Sequence, residues 1–164
     1  MSRSISKAHP DLQAFWHKLV LQDPPSGVLY YSLGDTYRDE ADQLAALASG
    51  NSQAAFGESP HNYDPSFAID VYPIIDGHVV SNAPADYSQI ADLAEASGLA
   101  SGGREWGWDW PHVYVPGWQT MAPSIETTSE APDPLSSSPS SSPSKPLLLA
   151  ALVAAAGIWL WTMT

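Results

Sequence analysis

The sequence contains no cysteine and has few basic residues. The absence of cysteine excludes disulfides, thiolate metal ligands and a catalytic thiol. Six lysines and arginines stand against 18 aspartates and glutamates, which gives a formal charge of −12. Nucleic-acid binding needs clustered cations, so this balance argues against a nucleic-acid partner and against electrostatic capture by an anionic surface. The first stretch is polar, and we expect no N-terminal secretory signal in it.

Composition divides the 164 residues into three segments. Residues 1–122 carry regular apolar patterns separated by turn residues, which predicts one folded domain. Residues 123–146 are rich in Pro, Ser, Thr and acid, which predicts a disordered linker because so little apolar surface can be buried. Residues 147–164 are nearly all apolar and, as a helix, would span roughly 27 Å, close to a bilayer core. We expect a single-pass C-terminal membrane anchor, and the sequence leaves open on which side of the membrane the domain lies. A helix docked on the domain is the alternative.

Periodicity in the first segment predicts both helices and short strands. The spacing of apolar residues predicts a helix at residues 12–20. Two more helices are predicted at residues 39–47 and 86–96, the second of them capped by Asp86. Runs of β-prone residues predict strands at 28–31, 67–72 and 113–115. Asp76-Gly77 predicts a hairpin turn. The pattern is typical of an α+β domain with a small antiparallel sheet and flanking helices.

Two histidines and two aspartates are candidates for a metal site. Asp70 lies inside an apolar run, where an unpaired carboxylate is costly to bury, so a metal ion, a salt bridge or a hydrogen-bonded turn must compensate it. His61 precedes this run in a loop, and His112 opens a later β-prone stretch. Two imidazoles and one carboxylate form a common catalytic zinc set, with Asp109 available as a base for the bound water. Spacing alone leaves metal binding open, and the other histidines are interpreted as packed or surface residues: His9, His17 and His78.

Residues 59–70 resemble the signature Ser-x-His-x-x-Gly-x-Ala-x-Asp of zinc D-Ala-D-Ala carboxypeptidases and L-alanyl-D-glutamate endolysins. Four positions match it: Ser59, His61, Ala68 and Asp70. Residues 64–66 stand where that family has a shorter stretch with a glycine, so this loop is two residues longer. The resemblance implies that His61 and Asp70 are zinc ligands.

Two further blocks are similar to the same family and occur in its order. Residues 103–112 resemble Glu-Trp-Gly-Gly…Asp-x-Pro-His, with a shortened connection between the halves and an intact Asp-x-Pro-His core. This resemblance implies that His112 is the third zinc ligand and Asp109 the catalytic base. Residues 35–44 resemble Gly-Tyr-Arg-Ser-x-x-x-Gln-x-Leu, which implies that Arg38 helps to polarise the scissile carbonyl and stabilise the oxyanion.

Several candidate residues keep two interpretations. Arg38 is either this polarising residue or a surface cation that pairs with Asp39 or Asp42 on a helix. Ser59 is expected to orient the ligand loop or a substrate carboxylate. Three tryptophans either wall the substrate groove or pack within the domain: Trp106, Trp108 and Trp110.

The resemblance implies a zinc-dependent peptidase with a compact DD-peptidase-like fold that cuts the stem peptide of bacterial peptidoglycan, as phage-type endolysins do. We expect an L-alanyl-D-glutamate endopeptidase; a D-alanyl-D-alanine carboxypeptidase would use the same site. The alternative that is not an enzyme is an inactive, membrane-tethered protein that binds the cell wall. The longer loop favours it, and the presence of Asp109 disfavours it. The expected partners are Zn²⁺, the stem peptide and a membrane, and the protein is expected to act on the cell wall as a monomer.

Overall fold

The computed structural model describes residues 1–80 and 83–125. The helices of these residues are α1 (Pro10–Leu19), α2 (Glu40–Ala48), α3 (Ser88–Ala96), α4 (Gly102–Trp106) and α5 (Trp118–Met121). The strands are β1 (Tyr30–Leu33), β2 (Ala68–Ile75), β3 (His78–Val79), β4 (Ala100–Ser101) and β5 (His112–Tyr114). Two short 3₁₀ turns occupy Ile5–Lys7 and Pro60–Asn62. The predicted α+β architecture with a small antiparallel sheet is confirmed.

The central strand of the sheet is β2. The strand order is β1-β2-β5-β4, β3 also pairs with β2, and every pair is antiparallel. The predicted hairpin is confirmed, because Ile75 pairs with His78 across a two-residue turn. Both turn residues have positive φ angles, 51° at Asp76 and 77° at Gly77. Tight hairpin turns need this conformation, and aspartate followed by glycine adopts it at low cost.

Side chains alternate along β2 and β5, which separates a core face from a polar face. Ile69, Val71 and Val113 are fully buried in the hydrophobic core. Asp70 lies between Ile69 and Val71, and His112 directly precedes Val113, so both side chains point to the opposite face. Residues of α1 and α3 complete the core: Leu12, Phe15, Leu19, Ile90, Leu93 and Ala94. Burial of each large side chain contributes about 1.5–3 kcal/mol, so the core supports a sheet that presents polar groups on its other side.

Two predicted features differ from the structure. Helix α3 begins at Ser88, and Asp86 does not cap it. Tyr87 occupies the N-cap position, is fully buried and donates its hydroxyl to the carbonyl of Val80, so ring packing sets the start of this helix. The strand predicted at 28–31 lies two residues later, at Tyr30–Leu33, because its partner positions on β2 determine where pairing occurs.

The predicted linker and membrane anchor lie almost wholly outside the described residues. Only 123–125 of the linker are described, and the apolar run 147–164 is not among the described residues. Across residues 1–80 and 83–125, no helix is both long and apolar enough to cross a bilayer. The boundary at residue 122 and the anchor stay predictions.

Candidate metal centre

The side chains of His61, Asp70 and His112 converge on the polar face of the sheet, and all three are buried. Nε2 of His61 lies 3.3 Å from Nδ1 of His112 and 3.5 Å from Oδ1 of Asp70. Nδ1 of His112 lies 3.3 Å from the same carboxylate oxygen. The three donor atoms therefore form a nearly equilateral triangle.

This triangle has the size that a tetrahedral zinc ion requires. Zinc binds imidazole nitrogen and carboxylate oxygen at about 2.0–2.1 Å, so two of its ligand atoms lie about 3.3–3.4 Å apart. The separations of 3.3 and 3.5 Å fit this spacing. Three protein ligands leave a fourth position for water or substrate, which is the arrangement of catalytic zinc sites.

The 3₁₀ turn Pro60–Asn62 holds His61 in place. Nδ1 of His61 lies 2.8 Å from the carbonyl oxygen of Thr36, which can only accept, so Nδ1 carries the proton and Nε2 presents its lone pair. The backbone NH of His61 donates to Oγ of Ser59 at 3.3 Å, and the NH of Ser59 donates to Oδ1 of Asn62 at 3.2 Å. Ser59 is buried and contacts the turn that carries the imidazole.

Arg38 is a buried cation that bridges two carboxylates. Nη2 of Arg38 donates to Oδ2 of Asp70 at 3.0 Å, and Nε donates to Oδ2 of Asp35 at 2.9 Å. The interpretation as a surface arginine paired with Asp39 or Asp42 is wrong, because only 7% of Arg38 is exposed and it precedes α2. Asp39 caps that helix, accepting from the NH of Asp42 at 2.8 Å. Arg38 is therefore part of the polar cluster around Asp70.

The two aspartates of the site have opposite electrostatic surroundings. Burial raises the pKa of Asp70, but the positive charge of His61 and His112 when they are protonated, together with their hydrogen bonds, outweighs burial and holds that pKa well below its usual range. Burial and the charge of Asp70 raise the pKa of Asp109, against the lowering influence of His112, His61 and Arg38. One carboxyl thus stays ionised, while the other is suited to take up and release a proton.

Aromatic rings hold His112 in position. The ring centroid of Trp106 lies 5.5 Å from that of His112 and 5.4 Å from that of Tyr114, on which it stacks. Tyr114 is itself 5.4 Å from His112, and its hydroxyl donates to Glu105. Within the described residues, the buried Nε2 of His112 has no hydrogen-bonding partner, although metal-binding histidines usually donate from their second nitrogen. Ring packing therefore orients this imidazole.

Two glycines allow α4 to pack closely against the segment that carries Asp109. A Cβ atom at Gly102 would lie 2.7 Å from the carbonyl oxygen of Asp109. At Gly103 it would lie 2.3 Å from Cε3 and 2.9 Å from Cα of Trp110. Neither glycine was predicted to matter, although the Gly102-Gly103 pair, one residue before Glu105-Trp106, was a visible signal. Asp35 and Thr36 were also missed, and no sequence pattern identifies a backbone carbonyl as the partner of an imidazole.

A cleft of about 900 Å³ opens over the triangle. Eight candidate site residues from the sequence line it: Arg38, Ser59, His61, Asp70, Trp106, Trp108, Asp109 and His112. Trp110 is not among its lining residues and packs against the hydrophobic core instead. Trp106 and Trp108 are 45% and 52% exposed, and their ring centroids are 6.1 Å apart. The other histidines lie elsewhere: His9 stacks on Phe67, and His17 and His78 are exposed. The chain thus brings eight of its nine candidate residues to one open site.

Comparison with known proteins shows a peptidase-like fold. The sequence matches no protein-family model and no curated protein. Among solved structures, the fold is similar to the crystal structure of the L-Ala D-Glu endopeptidase ChiX of Serratia marcescens. The TM-score is 0.55 and the sequence identity 25%, and the similarity covers 74% of this chain and 92% of that one.

Proposed function

We propose that this protein is a zinc-dependent peptidase that hydrolyses the stem peptide of bacterial peptidoglycan. The observation that carries the proposal is the triangle of His61, Asp70 and His112, which has zinc-ligand dimensions and opens to a cleft that also holds Asp109. The similarity to an L-Ala D-Glu endopeptidase supports the proposal that the bond cleaved is the one between L-alanine and D-glutamate. A metal site with three protein ligands and a nearby carboxyl suits peptide hydrolysis.

The chain's own groups divide the chemistry between them. Bound zinc would supply an activated water and polarise the peptide carbonyl. Asp109 takes the proton of the attacking water and returns it to the leaving amine, a role that its half-buried position and raised pKa suit. Arg38 places a fixed positive charge beside the site, where negative charge develops on the carbonyl oxygen.

Other residues orient the substrate and the ligands. Ser59 holds the turn of His61, and we propose this as its main role. Trp106 and Trp108 offer partly exposed rings at the cleft, and we propose that they contact the substrate. Rings of this kind supply large contact area at low conformational cost. The cleft would then bind an extended peptide with one wall of aromatic surface.

The apolar run at 147–164 supports a second part of the proposal. Its composition and length are those of a single membrane span, and the polar linker before it would let the domain reach wall peptide near the membrane. The full chain should then stay with membranes through carbonate or high-salt washing. Release by either wash would refute the anchor.

Digestion of purified peptidoglycan by the full chain, with mass analysis of the new ends, tests the activity. New N-terminal glutamate is expected from an endopeptidase. Release of terminal D-alanine would identify a carboxypeptidase, and binding without new ends would identify an inactive wall-binding protein. An Asp109→Asn variant, assayed in parallel, controls for contaminating hydrolases.

A further inference from the structure

Arg3 lines the same cleft as the candidate metal ligands, although it is far from them in sequence. Its neighbour Ser2 is hydrogen-bonded to the segment before Arg38: the NH of Ser2 donates to the carbonyl of Tyr37 at 2.9 Å. The NH and hydroxyl of Thr36 both donate to the carbonyl of Ser2, each at 2.8 Å. Thr36 also accepts from His61, so the backbone at Arg3 is connected to the site through two residues.

Cations are scarce in this chain, and most of those described are already paired. Arg38 is held by two carboxylates, Lys7 pairs with Asp64, and Arg104 pairs with Asp92. In the part of the chain that the structure describes, Arg3 forms no ion pair with a carboxylate. It is exposed and faces a cleft whose walls carry several acidic groups: Asp35, Glu58, Asp70 and Asp109. These acids would repel an anionic peptide unless a cation binds its charge.

We propose that Arg3 binds a free carboxylate of the substrate. The proposal rests on the proposed function, because a glutamate within a peptide continues the chain through one carboxyl and keeps the other as a free anion. A guanidinium offers two parallel N–H donors that match a carboxylate, and it stays charged at all physiological pH values. Arg3 would thus make the enzyme specific for glutamyl peptides whose second carboxyl is unmodified.

Two synthetic peptides with the full chain, supplied with zinc, test this assignment. One is an L-alanyl-D-glutamyl peptide with its second carboxyl free, and the other carries that group as a carboxamide. Arg3→Gln should lower kcat/KM for the free-carboxylate peptide about tenfold or more and leave the carboxamide peptide unchanged. The kcat/KM of Arg3→Lys for the free-carboxylate peptide should lie between those of wild type and Arg3→Gln, since lysine keeps the positive charge but loses the two parallel N–H donors of the guanidinium. Lys18→Gln, an exposed cation on α1 outside the cleft, is the control and should match wild type on both peptides.

The outcomes separate the two proposals. An equal loss on both peptides, or no loss on either, overturns the role of Arg3 while the peptidase function stands. If the wild-type chain cleaves neither peptide, the proposed cleavage of the L-alanyl-D-glutamate bond fails, and the role of Arg3 fails with it.

Discussion

Nη2 of Arg38 donates to Oδ2 of Asp70 at 3.0 Å, while Oδ1 of the same carboxylate faces the two imidazoles. The two oxygens of Asp70 thus have separate partners. Arg38 also donates to Asp35, so one buried cation compensates two carboxylates. This arrangement fixes the rotation of the Asp70 carboxylate and keeps one of its oxygens directed at the triangle.

Arg38→Ala should destabilise the metal-free protein by about 3–5 kcal/mol, because it leaves two buried carboxylates without their counter-charge. Urea unfolding measures the change. Arg104→Ala is the matched control, since Arg104 pairs with Asp92 at the exposed surface and should lose at most about 1 kcal/mol. Equal losses in the two variants would contradict the structural role given to Arg38.

The full chain should bind about one zinc ion per molecule, and His61→Ala or His112→Ala should abolish this binding, because two ligands hold zinc far more weakly than three. Elemental analysis after gel filtration gives the stoichiometry. His17→Ala removes an exposed imidazole from α1 and should keep the full zinc content. Wild-type zinc content in either ligand variant would exclude that residue from the site.

Asp109→Asn should keep zinc and fold but lower kcat by at least ~10²-fold, as expected when a general base is lost. Hydrolysis of a stem-peptide substrate and elemental analysis on the same preparation separate the two properties. Glu105→Gln is the comparison, because this neighbouring carboxylate accepts from Tyr114 and is the next candidate for the base. A larger loss for Glu105→Gln than for Asp109→Asn would move the role to Glu105.

Gly103→Ala should lose about 1–3 kcal/mol of stability, because the added methyl group collides with Trp110, including its Cα. Turnover per folded molecule should fall too, since Trp110 directly follows Asp109. Gly98→Ala is the control: its φ of +76° makes alanine strained, but no atom lies within 4 Å of the new Cβ. Normal turnover in folded Gly103→Ala would show that the tight packing does not position Asp109.

Sequence periodicity predicted the elements whose own residues carry the signal. The central strand was found because an apolar run surrounds Asp70, and the hairpin was found because Asp76-Gly77 suits positive φ angles. Spacing and family resemblance brought His61, Asp70 and His112 together as candidates, and the structure places their donor atoms within 3.5 Å of one another.

The remaining features depend on tertiary contacts that local patterns do not contain. Helix α4 starts with two glycines, which are poor helix formers, and only close approach to Trp110 and Asp109 accounts for them. The start of α3 follows the burial of Tyr87. Four acids lie within four residues of Arg38, and only one of them, Asp35, is a partner, while the other partner, Asp70, comes from β2. Local sequence could therefore not reveal which carboxylates Arg38 contacts.

Asp70 and His112 are directly opposed residues in the pairing of β2 with β5. A slip of one residue in either strand would turn one of these side chains to the core face, so the pair of ligands exists in a single alignment. An ion that binds both strands therefore selects that alignment, and its binding energy becomes folding energy. The supply of metal would then bias folding towards chains in which β2 and β5 have paired in the native register, with Asp70 opposite His112.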